Sequence, residues 1–310
     1  MRAIEMIAYG GPEVLRPATR RTPTPTDGVR VLVEARPVNP IDLHIRRGSL
    51  AAVLPELPFP VVPGWDFAGV LLDDAGTLPA GQRVAGYVPW LTQGGDRGTY
   101  ADIVVADPAW FAAVPDGVGI QEASTLPMNG LTAAQCLDIL QLGPGDSVLV
   151  TGASGAVGGF TAQLAVRRGA RVAALASHGD EEHVAALGVH EVIPRSEPAQ
   201  VVAAARRLAP GGIDALLDAA LLGTEVLPAV RDHGRYLGLV ESAAPPTERG
   251  IEVLTMWTRP DAGTLGTLLA AMGHGELTTR IARRMPLTRA ATAHRLAEAG
   301  GTRGAIVLTS

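Results

Sequence analysis

The apolar positions follow two different patterns along the chain of 310 residues. Up to about residue 120, short apolar runs are separated by segments rich in Pro and Gly, which predicts a small, irregular, mostly antiparallel β domain. The predicted strands of this part are Arg2–Tyr9, Val29–Pro37, Phe67–Leu72, Gln82–Pro89 and Ala101–Ala106. The pattern changes near residue 121, and Glu122–Leu140 shows the apolar spacing of a helix.

From residue 147 onwards strands alternate with helices, which is typical of an α/β fold with a doubly wound parallel sheet. The predicted strands are Ser147–Thr151, Arg171–Leu175, Glu191–Ile193, Ala215–Leu217, Arg235–Leu239 and Glu252–Trp257. The predicted helices are Val157–Arg168, Glu181–Leu187, Pro198–Leu208, Thr224–Val230 and Asp261–His274. The closing stretch 279–310 predicts strand, helix and strand, and we expect its last strand, Ala305–Leu308, to return to the first part.

The length of the chain favours two domains, because single hydrophobic cores rarely grow beyond about 250–300 residues. We expect a first domain of residues 1–121, to which residues 275–310 return, and a second domain of residues 122–274. The second domain would hold the parallel sheet.

Three glycines at equal spacing, Gly152, Gly155 and Gly158, follow the first strand of the predicted parallel sheet. A backbone without Cβ atoms can turn tightly and approach a pyrophosphate, and a helix N-terminus adds N–H donors and partial positive charge. The order strand, glycine turn and helix therefore predicts a dinucleotide site, although the spacing is not the usual G-x-G-x-x-G. The predicted contacts are Gly152, Ala153, Ser154, Gly155, Ala156, Val157 and Gly158. The alternative is a tight turn that packs and binds nothing.

The charge and cysteine content narrow the possible partners. A net charge of −5 without a basic block argues against a nucleic acid or an anionic membrane as partner. The N-terminus lacks the apolar core of a signal peptide, and no run approaches the roughly 18 apolar residues of a spanning helix, so we expect a cytoplasmic protein. The single cysteine, Cys136, excludes an intrachain disulfide and a Cys-rich zinc site. The chain has no lysine, so no lysine donates a proton.

Several motifs occur in the order known from one family. They are Val38-Asn39-Pro40-Ile41-Asp42 with Arg46-Arg47-Gly48, Pro63-Gly64-Trp65-Asp66-Phe67-Ala68-Gly69, Gly98-Thr99-Tyr100-Ala101, Leu131-Thr132-Ala133 and Thr302-Arg303-Gly304. With these motifs the chain resembles the zinc-free quinone oxidoreductase branch, which includes enoyl reductases, of the medium-chain dehydrogenase/reductase superfamily. The resemblance implies a GroES-like β-barrel domain and a Rossmann domain, with the active site in the cleft between them.

The resemblance also bears on metal and on catalysis. Zinc-dependent relatives carry Cys where Asn39 stands and G-H-E where Gly64-Trp65-Asp66 stands, so no metal is expected. Asn39 is expected beside the nicotinamide, although Asn before Pro also commonly starts a turn. His44 stands where many quinone reductases have Tyr, so it is a candidate proton donor, with solvent or a surface role as alternatives. Tyr87, a further catalytic candidate, and Trp65 are expected to line the pocket, with ordinary packing as the alternative. Arg46 is expected to be structural and to pair with Asp42.

The end of the second strand of the parallel sheet favours NADPH over NADH. NAD sites usually place an acid there to hold the ribose, whereas this chain has Ser177 and His178, which leave room and charge for a 2′-phosphate. The resemblance places Arg195 near the same phosphate. The remaining expected cofactor residues are Asn129, Thr132, Leu239 and Arg303. A helix cap for Ser177 or Thr132 and a surface charge for Arg195 are the alternatives.

The expected function is NADPH-dependent reduction of an activated C=C bond, in a small enone or quinone, by hydride transfer without metal. One alternative is a trans-acting enoyl reductase that tailors a polyketide-type metabolite, and another is a catalytically silent NADPH-binding protein. Alcohol dehydrogenation is weakened by the missing zinc ligands. The family implies a homodimer, for which the apolar stretch Ile251–Trp257 is the candidate edge, with an internal strand as the alternative.

Overall fold

A computed structural model describes residues 1–25, 27–54, 56–93 and 97–310 of the chain. The strands are β1 (Arg2–Met6), β2 (Leu15–Thr19), β3 (Val29–Pro37), β4 (Asp66–Leu71), β5 (Arg83–Tyr87), β6 (Ile103–Ala106), β7 (Phe111–Ala113), β8 (Ser147–Thr151), β9 (Arg171–Ala176), β10 (Glu191–Pro194), β11 (Ile213–Asp218), β12 (Val230–Gly238), β13 (Glu252–Thr255), β14 (Ile281–Pro286) and β15 (Ala305–Thr309). The α-helices are α1 (Pro40–Arg47), α2 (Ile120–Ser124), α3 (Pro127–Ile139), α4 (Ala156–Arg167), α5 (Glu181–Ala185), α6 (Pro198–Leu208), α7 (Ala262–Gly273) and α8 (Ala290–Ala299).

The described residues form two compact units. Unit 1 comprises Met1–Met128 and Arg259–Ser310, and unit 2 comprises Asn129–Thr258. Residues 122–128 and 259–274, which the sequence assigns to the second domain, therefore lie in unit 1. The reason is packing, because α2 contacts β3, β4 and β5, and α7 contacts β7.

Unit 1 is built on a seven-stranded sheet and a separate two-stranded ribbon. The strand order of the large sheet is β14-β15-β3-β4-β5-β7, and β6 pairs with β3 beside β15. All pairs in it are antiparallel except β14 with β15. The last strand, β15, pairs with β3, with Val307 opposite Pro37, so the end of the chain completes the sheet that begins near residue 29.

Unit 2 holds a six-stranded sheet in the order β10-β9-β8-β11-β12-β13, and every pair is parallel. Both faces of β8 are covered, since Val148 and Val150 pack in one buried cluster and Leu149 in another. Numbered within the unit, the order is that of a doubly wound sheet, whose direction of winding changes between β8 and β11. Ligands bind outside the carboxyl ends of the strands at such a point. The predicted α/β class with a doubly wound parallel sheet is confirmed.

Two of the predicted helices are wrong in detail, and a proline explains each case. The segment Glu122–Leu140 is not one helix, because α2 ends at Ser124 and α3 starts at Pro127, where the missing N–H of proline suits a first helical position. The segment Thr224–Val230 forms two short 3₁₀ turns around Pro228, and Val230 already belongs to β12.

Candidate functional site

The glycine turn of unit 2 requires glycine at its first and last positions. Gly152 follows β8 with φ of +67°, a left-handed conformation that favours glycine, and a Cβ there would lie 3.1 Å from the Ala219 backbone. A Cβ on Gly158 would lie only 2.3 Å from the carbonyl oxygen of Gly152. The first turn of α4 can therefore approach the end of β8 only because both residues lack side chains.

The N-terminus of α4 is suited to an anion. Gly155 is the N-cap residue, its backbone is extended, and no side chain in the described part of the chain caps the helix. Gly155 and Ala156 are exposed, Ser154 and Val157 are half-buried, and Ala153 is buried, with its N–H donated to the Leu175 carbonyl (3.2 Å). The first N–H groups of a helix lack intrahelical partners and bind phosphate oxygens readily. The residues present at this turn thus fit the pyrophosphate of a dinucleotide.

A cavity lies beside this turn, at the carboxyl ends of the strands of unit 2. Its lining includes Gly152, Ser177, Arg195, Ala220 and Glu225. The N–H of Ser177 donates to Ser154 Oγ (2.9 Å), which joins the end of β9 to the glycine turn. The fold therefore brings Ser177 and Arg195, which are far apart in sequence, to the same cavity as the glycine turn.

The charges around this cavity are mixed. Arg195 is exposed, and within the described residues its guanidinium makes no hydrogen bond or ion pair. Glu225, an acid that the sequence reasoning did not consider, lines the same cavity. His178 is not among the lining residues; its side chain is fully exposed and lies 3.8 Å from Glu181. The basic group available to a ligand in this cavity is therefore Arg195.

A buried hydrogen-bond network supports the loop on the far side of the cavity. Asp218, at the end of β11, accepts from Thr151 Oγ1 (2.6 Å), Tyr236 Oη (2.7 Å) and the Gly223 N–H (2.7 Å). The hydroxyl of Thr151 in turn accepts the Ala220 N–H at 3.0 Å. These bonds hold the segment after β11 against β8. Sequence reasoning missed them because their partners are 18 to 69 residues apart wherever they join different strands.

The other cofactor candidates of unit 2 lie on α3 and after β12. Asn129 and Thr132 are both buried, and Thr132 Oγ1 lies 2.5 Å from Thr258 Oγ1. Since α3 begins at Pro127, Thr132 is inside the helix, and its interpretation as a cap at the helix start is wrong. Leu239 is half-buried and packs against the core of the sheet.

Unit 1 places Asn39 between two acids. Asn39 precedes α1, and its backbone N–H donates to Asp42 Oδ2 (2.8 Å). Its side-chain Nδ2 donates to Asp66 Oδ2 (2.5 Å), and Asp66 Oδ1 accepts the N–H of Met128 (2.6 Å). Asn39 therefore precedes a helix, which agrees with its interpretation as a residue that starts a turn before Pro40. It is also part of a buried polar cluster.

Both acids of this cluster titrate far from the ordinary range. Burial raises the pKa of Asp42 to about 8, and the nearby Asp66 carboxyl adds to the shift, against the lowering effect of the Asn39 N–H. Burial likewise raises the pKa of Asp66 to about 7, although the hydrogen bonds from Met128 and Asn39 lower it. No local pattern of residues indicates these shifts, because it is the folded sheet that removes the acids from water.

An aromatic group lies on the strand and turn next to Asp66. The ring of Trp65 stacks on Tyr87 with centroids 5.7 Å apart and an interplanar angle of 7°, and meets Trp90 edge to face at 5.7 Å. All three rings are buried. Burial and the nearby Asp66 raise the pKa of the Tyr87 phenol. The phenol of Tyr87 therefore keeps its proton at neutral pH.

Two further predicted site residues of unit 1, His44 and Arg303, lie at the surface. His44 is exposed in the last turn of α1, and its ring makes no hydrogen bond within the described part of the chain. Arg303 is also exposed. The expected pair of Arg46 with Asp42 is wrong, because Arg46 bonds the Gly10 carbonyl and Glu298, while Asp42 accepts from Asn39.

The described residues contain no group of three or more His, Cys, Asp or Glu side chains placed to hold a metal ion. Among the helices of the same residues, none combines the length and the apolar character needed to cross a membrane.

Comparison with known proteins gives matches along the whole chain. Residues 25–116 match the family of alcohol dehydrogenase GroES-like domains, which confirms the expected fold of the first domain, and residues 187–308 match a family described as zinc-binding dehydrogenase. The chloroplast envelope quinone oxidoreductase homolog of Arabidopsis thaliana is 28% identical over 331 residues, which cover 99% of this chain and 98% of the relative.

Two more relatives are informative. The 2-methylene-furan-3-one reductase of Solanum lycopersicum is 28% identical over 256 residues, which cover 79% of this chain and 64% of the relative. A crystal structure described as an NAD-dependent alcohol dehydrogenase is 30% identical, covers all of both chains and superimposes with a TM-score of 0.87.

Proposed function

Because this chain belongs to the medium-chain dehydrogenase/reductase superfamily, in its quinone oxidoreductase-like branch, we propose that it reduces an activated C=C bond of a small enone or quinone with NADPH and without a metal ion. The family assigns it to the oxidoreductases of the quinone oxidoreductase type, which use a nicotinamide cofactor. The cofactor species, the bond reduced and the absence of a metal are our proposals.

The observation that carries this function is the glycine turn at the switch point of the parallel sheet. Gly152 has a left-handed backbone conformation, and Gly158 has no room for a side chain. The start of α4, which no side chain of the described residues caps, presents N–H groups to a pyrophosphate. When bound, NADPH supplies a hydride to the β-carbon of the conjugated system. We propose Asn129, Thr132 and Leu239 as further cofactor contacts in unit 2, and Arg303 as a cofactor contact from unit 1.

The cavity at the end of β9 supports NADPH over NADH. It contains Ser177 where an NAD site usually has an acid, and the small hydroxyl leaves room for a 2′-phosphate. The guanidinium of Arg195 lines this cavity and has no hydrogen-bond or ion-pair partner among the described residues, so it is a suitable phosphate partner. His178, being fully exposed, would add at most a weak, screened attraction.

A conjugated carbonyl substrate needs donors for the oxygen that gains charge. We propose that Asn39 orients the substrate or the nicotinamide ring and that Tyr87, protonated at neutral pH, donates a hydrogen bond in the pocket lined with Trp65. The exposed His44 or solvent would protonate the α-carbon. The name of the Solanum lycopersicum relative, a furanone reductase, supports an enone, and that of the Arabidopsis thaliana relative supports a quinone.

The donor set of unit 1 supports catalysis without metal. Zinc prefers Cys and His ligands, whereas Asn39 and Trp65 occupy the positions at which zinc-dependent relatives carry them. The single cysteine, Cys136, is buried in unit 2. Carbonyl polarisation therefore falls to hydrogen-bond donors.

We further propose a homodimer in the cytoplasm with small molecules as the only other partners. β13 is the outer strand of the parallel sheet, Val253 and Leu254 in it are half-buried, and Trp257 just beyond it is 63% exposed. An exposed apolar edge strand pairs readily with another copy. Light scattering of the purified chain should give twice the monomer mass, and Trp257→Glu should lower it.

The experiment that tests the proposed reaction is a substrate panel with NADPH, comprising quinones, 2-enals, enoyl thioesters and simple alcohols with and without a chelator. We expect NADPH oxidation with quinones or 2-enals that is insensitive to the chelator. Turnover of thioesters alone would replace the proposal by the tailoring enoyl reductase. Chelator-sensitive oxidation of alcohols would overturn the metal-free assignment, and NADPH binding without turnover of any member would indicate a silent binding protein.

A further inference from the structure

Two buried carboxyl groups bracket Asn39, and the proposed reaction gives neither of them a role. We call Asp42 and Asp66 the acid pair. Asn39 contacts one acid through its backbone N–H and the other through its side chain, and Asn39, Asp42 and Asp66 are only 4%, 3% and 1% exposed. Burial destabilises each negative charge, and a neighbouring negative charge destabilises it further. Two negative charges on the acid pair are therefore strongly unfavourable.

The hydrogen bonds of the two acids distinguish them. Each oxygen of Asp66 accepts an N–H, one from Met128 and one from Asn39. Asp42 accepts one N–H at Oδ2, and its Oδ1 has no hydrogen-bond partner within the described residues. A carboxylate that accepts at both oxygens is stabilised in its charged form, whereas a buried oxygen without a donor is better occupied by a proton.

Within the described residues, the groups around the acid pair supply no compensating cation. Tyr87 and Tyr100, which interact with the pair, have phenol pKa values raised by burial and by these carboxyls. Burial lowers the pKa of His294, the hydrogen-bond partner of Tyr100, to about 3, so its ring is neutral. Arg36 bonds backbone carbonyls and the Ser310 hydroxyl, and Arg46 bonds Gly10 and Glu298.

We propose that the acid pair holds one proton at neutral pH, on Asp42 Oδ1, and that the charge left on Asp66 fixes the side-chain amide of Asn39. A charged Asp66 only accepts, so it faces Nδ2 of Asn39 and directs Oδ1 of Asn39 away from itself. A protonated Asp66 would donate to Oδ1 and turn the amide over. Resting on the proposed function of Asn39, this makes Asp66 a positioning residue that sets which polar atom Asn39 offers to a ligand.

The proton proposed on Asp42 can be tested without an activity assay, by urea unfolding between about pH 5.5 and 7.5. The folded chain keeps a proton on Asp42 that the unfolded chain releases, so this one group by itself makes the unfolding constant rise with pH, by up to about tenfold per unit. Asp42→Asn removes this component, and the ratio of the wild-type constant to that of D42N should rise with pH. The matched control is Asp116→Asn on an exposed turn, whose ratio should stay flat. A ratio of the wild-type to the D42N unfolding constant that does not change with pH would overturn the proposal that the acid pair keeps a proton.

The positioning role is tested with Asp66→Asn, which keeps the shape of the side chain but removes its charge. We expect kcat to fall at least tenfold while the affinity for NADPH, measured by fluorescence, changes less than threefold, and the side-chain amide signal of Asn39 in a ¹⁵N spectrum to move. An unchanged kcat or an unmoved signal would overturn the role. Since the unfolding and NMR experiments need no substrate, they still test the acid pair if the proposed reaction fails.

Discussion

Unit 2 presents its candidate site mainly with backbone, whereas unit 1 presents its own with buried side chains. In unit 2, glycines and the first turn of α4 form the phosphate site, and few side chains are needed. In unit 1, the same task of placing polar groups falls to the acid pair, Asn39 and the ring of Tyr87. The site of unit 2 therefore tolerates changes to its side chains but not a Cβ atom added at its glycines. The site of unit 1 depends on the protonation of its two acids.

The largest effect should come from an added methyl group in unit 2. Gly158→Ala places a Cβ only 2.3 Å from the carbonyl oxygen of Gly152. Because that oxygen belongs to the backbone, it cannot move aside as a flexible side chain could. We expect a loss of about 3 kcal/mol in the free energy of unfolding and roughly a hundredfold weaker NADPH binding. Gly211→Ala is the control, because nothing lies within 4 Å of a Cβ there. Equal behaviour of the two variants would show that close backbone approach is not what the glycine turn requires.

A second effect should show that unit 1 is the pH-sensitive part. His294 is buried with a pKa lowered to about 3, so the unfolded chain binds a proton below about pH 6.5 that the folded chain does not. This group therefore costs stability as pH falls, by about 2 kcal/mol between pH 6.5 and 5. His294→Gln should lose that dependence in urea unfolding, whereas the exposed His274→Gln should keep it. A ratio of the wild-type unfolding constant to that of H294Q that stays constant between pH 6.5 and 5 would contradict the assignment.

Removing the guanidinium of the cavity in unit 2 should have a moderate and selective effect. Arg195→Ala should weaken NADPH binding about tenfold, since a hydrogen bond to a charged group at a partly exposed site contributes about 1.5 kcal/mol, and should leave NADH binding unchanged. Arg16→Ala, which removes an exposed arginine of unit 1, controls for net charge. A parallel loss of both cofactors would show that Arg195 does not read the 2′-phosphate.

The smallest effect should come from a side chain that supports the backbone site of unit 2 indirectly. Tyr236→Phe removes one of the three donors to Asp218, the acid that holds the loop after β11. We expect about 1 kcal/mol lower unfolding free energy and less than threefold weaker NADPH binding. Calorimetric unfolding with a parallel titration measures both. A loss as large as that of G158A would show that the site of unit 2 depends on side chains as much as on its backbone.

The same contrast explains what the sequence could predict. The strand, glycine turn and helix of unit 2 are contiguous, so periodicity and three glycines were enough to predict them, and the alternation of strands and helices predicted the parallel sheet. Pro127 and Pro228 mark local breaks that the apolar spacing alone did not register.

The site of unit 1 was predictable only in its parts. Asn39 and Asp66 are 27 residues apart, and their contact depends on how β4 pairs in the sheet. The predicted pair of Arg46 with Asp42 follows from the rule that side chains four residues apart on a helix can interact. In the structure Arg46 instead binds Glu298, which is 252 residues away. Burial of the acids, which decides their protonation, is a property of the assembled sheet and has no local signature.

The proposed function depends above all on the turn of unit 2 binding NADPH through backbone groups, beside a cavity where β9 is followed by Ser177 and not by an acid. Isothermal titration calorimetry of the full chain with NADPH and with NADH is the decisive experiment. We expect one binding event per chain, tighter for NADPH by about tenfold or more. No heat with either cofactor, or tighter binding of NADH, would contradict this assignment.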